Sequence, residues 1–318
     1  MWPRAIEPRA GRLPVASQSD PDTVDSLRTL RDFVRWGASR FAAAGLFYGH
    51  GTDGAADEAA VLIAHVLHLD LPLAAEFMDA ALTTEERTAV IALLGRRISE
   101  RLPAPYLTGE AWFAGLRFAV DPRVLIPRSP IGELIQNGFS PWLDDINPTR
   151  ILDIGTGSGC IAIACALAFS DAVVDAVDIS PQALAVATAN VARYGLQERV
   201  RLLQSDLYDA LTGERYDLIV SNPPYVPDDE YAGLPDEYRH EPAGALVSPD
   251  TGLEHPLRIL HGAATHLNEG GLLVLEVGAT WPALVERLPQ LPFTWVEFAR
   301  GGQGVAVISR EALAAGLG

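Results

Sequence analysis

The chain has 318 residues, of which 48% are hydrophobic, so it is long enough for a sizeable core and for two domains. Its 41 acidic and 24 basic residues, the latter all arginine, give a net charge of −17. Nucleic-acid phosphates repel so acidic a chain, so no stable nucleic-acid binding is expected and a basic protein partner fits better. Because there is no long apolar run and no signal-peptide pattern, we predict a soluble cytoplasmic protein with no membrane association.

The first half of the chain divides into three segments. Residues 1–22 are rich in Pro, Arg and Ser without periodicity, and we predict a disordered extension. Residues 23–102 repeat apolar side chains at helical spacing, which predicts a small helical domain of four or five helices. Residues 103–149 are predicted to be a linker that contains a β-hairpin, with its turn near Ala114 and Gly115.

Residues 150–318 alternate strand and helix patterns and form the second predicted domain. Strands are expected near 151–154, 173–178, 200–205, 216–221, 271–277, 293–298 and 304–309. This order predicts an α/β fold with a doubly wound, Rossmann-like, mostly parallel sheet of seven strands. The link between the last two strands is too short for a crossover helix, so this pair is expected to be antiparallel.

The cysteines and one pair of histidines were considered as metal ligands. Cys160 and Cys165 lie five residues apart on one predicted helix, without the spacing of a zinc site. His65 and His68 share a helix, but no third ligand is evident. We therefore expect no metal site and interpret both cysteines as small buried side chains.

The most informative stretch is a short apolar strand, 217–221, followed by Asn222, Pro223, Pro224 and Tyr225. Ligands of open α/β sheets bind at the carboxyl ends of strands. The two prolines stiffen the loop and remove two N–H donors, which leaves oxygen acceptors. Asn222 adds a side-chain oxygen and Tyr225 an aromatic ring. This loop can accept two hydrogen bonds from a planar NH2 group and cover it with a ring, which indicates an amide or a base amine as its target.

A glycine-rich loop follows the first strand of the second domain. Gly155, Gly157 and Gly159 allow the backbone to approach a ligand closely, and the following helix begins directly behind them. A dinucleotide fingerprint requires a third small residue at the position that Cys160 occupies. The GxGxG spacing therefore disfavours a NAD site.

Acidic residues recur at the ends of three successive strands. Asp153 precedes the glycine loop and can accept from an ammonium group, and Asp178 can accept from both hydroxyls of a ribose. Asp206 follows the third strand, where it can accept from an adenine amino group. One ligand carries an ammonium group, a carboxylate, a ribose and an adenine without phosphate, and this ligand is S-adenosylmethionine.

The motifs GTGSG, VDIS, SDLY and SNPPY together resemble the class I methyltransferases that modify glutamine amides, over nearly all of the chain after residue 23. The segment RSPIGELI, with TLRDFVRWGASRF and LFYGHGTD, resembles the branch that acts on ribosomal protein L-three of the large subunit. Release-factor enzymes of the family differ there, and they tend to have an aromatic residue at the position of Leu207. The resemblance implies that the helical domain and the hairpin accompany a methyltransferase domain.

The resemblance also implies roles for individual residues. S-adenosylmethionine would contact Asp153, Gly155, Thr156, Gly157, Gly159, Asp178, Ile179, Asp206, Leu207 and Asn222. The substrate amide would be bound by Asn222, Pro223, Pro224 and Tyr225, which are also the candidate catalytic residues, and the substrate by Arg128.

Three other functions were weighed. The peptide chain release factor is an alternative substrate, disfavoured only by the RSPIGELI segment. An adenine amino group of DNA or RNA is a second alternative, against which the excess of acidic residues counts. A ribosome-assembly factor that only binds S-adenosylmethionine is the third, and the intact NPPY loop argues against it.

Overall fold

The computed structural model describes residues 25–144 and 146–317. The described residues form two compact units. A helical unit comprises residues 25–110 and 235–240, and a sheet unit comprises the described residues of 111–234 and 241–317.

The predicted extension, residues 1–22, lies outside the described residues. Of the predicted linker, residues 103–110 belong to the helical unit, and the remainder that is described belongs to the sheet unit. No helix in the described parts of the chain is long and apolar enough to cross a membrane.

The helical unit is built on four helices, two of which are capped by threonine at their first turn. Its helices are α1 (Leu30–Ala44), α2 (Ala55–Leu67), α3 (Thr84–Glu100) and α4 (Ala104–Thr108), with 3₁₀ turns at Ala75–Phe77 and Asp236–His240. Thr29 and Thr83 each form a capping box with the acidic residue three positions later, which satisfies N–H groups that a helix leaves without partners. The apolar faces of these helices meet in one core that includes the fully buried Phe33, Phe41 and Leu94.

The sheet unit contains nine strands, the first of which begins at its boundary, and eight helices within its described residues. The strands are β1 (Glu110–Phe113), β2 (Leu116–Ala119), β3 (Arg150–Ile154), β4 (Val173–Asp178), β5 (Val200–Gln204), β6 (Tyr216–Ser221), β7 (Leu267–Glu276), β8 (Thr294–Trp295) and β9 (Val305–Ser309). The helices are α5 (Ile131–Gln136), α6 (Cys160–Ala168), α7 (Pro181–Arg193), α8 (Asp228–Tyr231), α9 (Pro249–Gly252), α10 (Glu254–His266), α11 (Trp281–Arg287) and α12 (Arg310–Leu317). Short 3₁₀ turns lie at Ala243–Ala245 and Gly278–Thr280.

The seven-stranded sheet has the order β5-β4-β3-β6-β7-β9-β8. Its strands are parallel except β9, which is antiparallel to both of its neighbours. These findings confirm the predicted sheet and its antiparallel last pair, and β1 and β2 form the predicted hairpin around Ala114 and Gly115. Two bounds differ: β7 begins already at Leu267, because that residue pairs with Tyr216 across an irregularity in register, and β8 is only two residues long at the sheet edge.

Both faces of this sheet are buried. Along β7, Leu272 and Val274 belong to one core cluster, whereas Leu273 and Leu275 belong to the other. Successive side chains of a strand point to opposite faces, so the alternation shows that helices cover the sheet on both sides. This explains why the strands appear in the sequence as continuous apolar runs. Cys160 and Cys165 lie buried in the first cluster, and burial raises the pKa of both thiols, that of Cys160 to about 12.

Candidate active site

The predicted site residues meet at one edge of the sheet. They follow β3, β4, β5 and β6, which are neighbours in the order β5-β4-β3-β6 and run parallel. The carboxyl ends of parallel strands lie at the same edge, where ligands of open α/β sheets bind. Loops far apart in the sequence are thereby placed side by side.

The glycine loop after β3 has the backbone that its sequence predicts. Gly155, Gly157 and Gly159 have φ angles of 74°, 55° and 80°, values that strain any residue with a Cβ atom. The amides of Gly155 and Thr156 donate to the carbonyl oxygen of Val177 at 2.9 and 3.0 Å, which ties the loop to the end of β4. Among the described residues other than the chain neighbours, no atom lies within 4 Å of a Cβ placed on Gly155 or Gly157, so this stretch of backbone borders open space.

Asp153 lies beneath the loop and is 1% exposed. Its Oδ2 accepts from the Thr156 hydroxyl at 2.6 Å and from the Ala162 amide at 3.1 Å. Its Oδ1 is buried, and no group in the described parts of the chain hydrogen-bonds to it. Burial raises the pKa of Asp153 to about 7. A buried carboxylate oxygen that accepts no hydrogen bond raises the free energy of the folded protein, and a cation bound to this oxygen would remove that penalty.

Asp178 ends β4, and its two oxygens are both oriented by backbone amides. Oδ2 accepts from Gly157 at 2.9 Å and Oδ1 from Ser180 at 2.9 Å. Burial raises the pKa of Asp178 in spite of these two hydrogen bonds. A carboxylate has about four acceptor positions, so each oxygen keeps capacity for a hydroxyl donor.

Beyond Asp178 lies an open cavity of about 400 Å³. It is lined by Ile179, Gln204, Ser205, Asp206, Asp209 and Ala210. The Ile179 side chain is 65% exposed, which is unusual for a large apolar residue and suits it to cover a flat ligand. Leu207, also a predicted contact, does not line this cavity, because it packs against the second core cluster. The structure therefore places Ile179 and Asp206 together and directs Leu207 elsewhere.

The Asn222–Tyr225 loop borders a second, smaller cavity. It is lined by Leu125, Arg128, Asn222, Pro223, Tyr225, Val226, Ala245, Leu246 and Glu276. The loop is fixed at both ends. The Ser221 hydroxyl donates to the carbonyl oxygen of Ile154 at 2.8 Å, and the amide of Tyr225 donates to the carbonyl oxygen of Leu246 at 3.1 Å. Asn222 is half-buried, so its amide can be reached by a ligand while its backbone is held.

Two glycines shape the surroundings of Tyr225. A Cβ atom on Gly278 would lie 2.5 Å from the Tyr225 ring, and one on Gly252 would lie 2.3 Å from the Tyr225 carbonyl oxygen. Both have positive φ angles. Only glycine allows these close approaches, so the ring and the backbone of Tyr225 are confined.

Glu276, at the end of β7, is a site residue that the sequence analysis missed. It is 4% exposed, and its Oε1 accepts from the Tyr225 hydroxyl at 2.9 Å and its Oε2 from the Ser129 hydroxyl at 2.5 Å. Burial raises the pKa of Glu276. A signal was available in the sequence, because Glu276 is the single carboxylate in the apolar run LLVLEVG. Its two hydrogen bonds hold Tyr225 against the segment that carries Arg128.

Arg128 was predicted to bind the substrate, and its guanidinium forms a bidentate ion pair with Glu241. Nη1 donates to Oε1 at 2.7 Å and Nη2 to Oε2 at 2.8 Å. Glu241 also accepts from the amide of Ile126 at 2.9 Å. The Arg128 side chain is 19% exposed and lines the smaller cavity, so it reaches the site while it is anchored by Glu241.

Comparisons with known proteins show the family of this chain. A family model described as the methyltransferase small domain matches residues 139–233. The ribosomal protein uL3 glutamine methyltransferase of Xanthomonas campestris is 51% identical over 91% of this chain and 94% of its own length. The enzyme of the same name from Francisella tularensis is 44% identical over 94% and 95%.

Among solved structures, the hMettl16 catalytic domain in complex with the MAT2A 3′UTR hairpin 1 superimposes with a TM-score of 0.50. It covers 80% of this chain and 91% of that one, at 19% sequence identity. At this identity the similarity concerns the fold alone.

Proposed function

Because this chain belongs to the family of ribosomal protein uL3 glutamine methyltransferases, we propose that it transfers a methyl group from S-adenosylmethionine to the side-chain amide nitrogen of a glutamine in ribosomal protein uL3. The observation that carries the proposal is the fixed Asn222–Tyr225 loop beside a strand-end cavity. Its acceptors suit an amide NH2 group, and the relatives align with this chain over more than nine-tenths of their length.

The carboxylates of the site fit S-adenosylmethionine. The ammonium group would be held by Asp153, whose buried Oδ1 otherwise has no partner among the described residues. The ribose hydroxyls would donate to Asp178, and the adenine would lie in the cavity between Ile179 and Asp206. The glycine loop borders open space and would accommodate the part of the ligand between these groups.

The protein's main task in the reaction is to orient a weak nucleophile. An amide nitrogen is a poor nucleophile because its lone pair is delocalised into the carbonyl group, and S-adenosylmethionine supplies an already activated methyl group. The Asn222 side-chain oxygen and the Pro223 carbonyl oxygen would each accept a hydrogen bond from one N–H group of the substrate amide. These two hydrogen bonds would orient the nitrogen lone pair toward the methyl group. The same oxygens stabilise positive charge that develops on the nitrogen. Tyr225, confined by Glu276 and Gly278, would cover the amide plane and exclude water.

The partner and the division of labour are part of the proposal. A net charge of −17 suits a basic ribosomal protein and opposes stable nucleic-acid binding. We assign substrate recognition to the helical unit, because every proposed contact of S-adenosylmethionine lies in the sheet unit. With a ribosomal protein as substrate, we place the reaction in the cytoplasm.

The test is incubation of the purified protein with S-adenosylmethionine and, separately, with purified uL3, a release factor and an adenine-containing oligonucleotide, followed by mass spectrometry. We expect one methyl group on a glutamine of uL3 and none with the Asn222→Ala variant. Methylation of the release factor or of the oligonucleotide instead of uL3 would refute the proposed substrate. Binding of S-adenosylmethionine without any transfer would indicate a factor that only binds it.

Replacing Asp178 by alanine should weaken S-adenosylmethionine binding by about 2–4 kcal/mol, because a charged acceptor of two hydroxyls is lost. Isothermal titration calorimetry measures this directly, and thermal unfolding checks that the variant is folded. Asp171→Ala is a suitable control, since Asp171 is an exposed carboxylate outside the site. Equal affinities of the Asp178→Ala variant and the wild type would disprove the ribose assignment.

Replacing Glu276 by leucine should lower kcat about tenfold without changing the affinity for S-adenosylmethionine, because Tyr225 loses the acceptor that fixes its ring. If Glu276 acts through Tyr225, the Tyr225→Phe variant should show a similar loss. The double variant should then be no slower than either single variant, as for two residues of one network. Additive losses in kcat would show that Glu276 acts independently of Tyr225.

A further inference from the structure

The predicted base contact, Asp206, has a partner that the sequence analysis did not identify. Arg258, on α10, donates from Nη2 to Oδ2 of Asp206 at 2.9 Å. The side chains are 41% and 39% exposed, so this is an ion pair at the rim of the cavity and not a core interaction. Asp206 also lines that cavity, as does the exposed Ile179.

The position of Arg258 is determined by the packing of α10 against the loop after β5. The hydroxyl of Tyr208 donates to the carbonyl oxygen of Ile259 at 2.9 Å, one residue beyond Arg258. The Tyr208 ring lies directly on Gly262, where a Cβ atom would be 2.4 Å from the ring. These contacts hold the part of α10 that carries Arg258 against the loop that carries Asp206.

The turn after β5 directs Asp206 and the next residue, Leu207, into different surroundings. Leu207 has a φ angle of 49°, in the left-handed region, and its carbonyl oxygen accepts from the Ser205 hydroxyl at 2.9 Å. The Ser205 oxygen also accepts from the amide of Ala210 at 3.0 Å. The turn packs the partly buried Leu207 against the second core cluster and leaves Asp206 at the cavity. The carboxylate can therefore contact a ligand and Arg258 at the same time.

We propose that Arg258 is a positioning residue that holds the Asp206 carboxylate by one oxygen and presents its remaining acceptor positions to the exocyclic amino group of a 6-aminopurine. The inference rests on the proposed function, since adenine is the base of S-adenosylmethionine. The hydrogen bond joins one guanidinium nitrogen to one carboxylate oxygen, so it restricts rotation of the carboxylate while it occupies one of about four acceptor positions. A 6-oxopurine would place an acceptor against this carboxylate and is therefore discriminated against.

The test compares two ligands that differ at this one group, S-adenosylhomocysteine and S-inosylhomocysteine. Calorimetry gives the dissociation constant of each for the wild type, Arg258→Gln, Arg258→Lys and Arg31→Gln. Arg31→Gln is the matched control, because it removes the exposed Arg31–Asp79 pair of the helical unit, whose separation of 3.0 Å is close to that of the Arg258–Asp206 pair. We expect Arg258→Gln to lower the affinity for S-adenosylhomocysteine about three- to fivefold and to reduce the preference for adenine over the 6-oxopurine. The affinity of Arg258→Lys should lie between those of Arg258→Gln and the wild type, and the affinity of Arg31→Gln should equal that of the wild type.

Several results would overturn the assignment. Unchanged or tighter binding of the adenine ligand by Arg258→Gln would show that Arg258 does not position Asp206 or competes with the ligand. Equal weakening of both ligands would indicate a general structural role. If the wild type binds neither ligand, the proposed function itself fails and this inference fails with it. If Arg258→Gln does not fold, Arg258→Lys supplies the same comparison, with a smaller shift in the same direction.

Discussion

The Asn222→Ala variant should lose about a hundredfold in kcat, while its affinity for S-adenosylmethionine should change far less. Loss of one preorganised acceptor costs about 3 kcal/mol in the chemical step. The structure supports a specific effect, because the backbone of the loop is held by Ser221 and by Leu246 and not by the Asn222 side chain. Single-turnover methylation of purified uL3 measures the chemical step without product release.

Asn222→Asp is the sharper comparison. It keeps the size and the acceptor oxygens of the side chain but adds a negative charge near the sulfonium. If the amide is held as proposed, the aspartate variant should retain more activity than the alanine variant. A wild-type rate in Asn222→Ala would show that the substrate amide is held by groups other than this loop.

Arg97→Met should destabilise the protein by about 3–5 kcal/mol, because it leaves the buried carboxylate of Glu58 without a cation and Glu237 with only the partly exposed Arg101. Arg97 is fully buried in the helical unit. Its Nε donates to Glu58 at 2.6 Å, its Nη1 to Glu237 at 3.3 Å and its Nη2 to the carbonyl oxygen of Phe47 at 2.9 Å. Urea unfolding followed by circular dichroism measures the loss, provided that the slope with denaturant is unchanged.

The adjacent arginine supplies the control for this prediction. Arg96 is 53% exposed and pairs with Glu100 at 2.9 Å, so Arg96→Met should cost less than about 1 kcal/mol. Replacing Glu58 by glutamine together with Arg97→Met should recover most of the stability, since Glu237 keeps Arg101 and no buried charge then lacks a partner. Equal effects of Arg96→Met and Arg97→Met would contradict the assigned role of the buried cluster.

The features that the sequence predicted are local ones. The strands of the sheet are recognisable as apolar runs, and the conformation of the glycine loop follows from residues that tolerate positive φ, such as Gly155 and Gly157. The meeting of Asp153, Asp178 and Asn222 at one edge follows from the rule that parallel strands end together. Such inferences need only short stretches of sequence and the assumption that the strands are parallel.

The features that the sequence did not predict depend on pairs that lie far apart in the chain. Ser129 and Glu276 are separated by 147 positions, and Arg128 and Glu241 by 113. Neither the spacing nor the composition around these residues indicates the partner, because the partner is determined by tertiary packing. The partners of Glu276 and Arg258 therefore emerged only from the structure, and the partly buried Leu207, which was expected at the ligand, packs against the second core cluster.

The division of the chain in sequence does not match the division of the molecule in space. Residues 235–240 lie between β6 and β7 in the sequence but belong to the helical unit, where Glu237 neutralises Arg97. An excised fragment of residues 25–110 would therefore leave two arginines of this cluster, Arg97 and Arg101, with Glu58 as the single buried carboxylate of the cluster. The helical unit is not an exchangeable module, and a gene fusion or recombination that joins it to another catalytic domain must also supply this distant acidic insert.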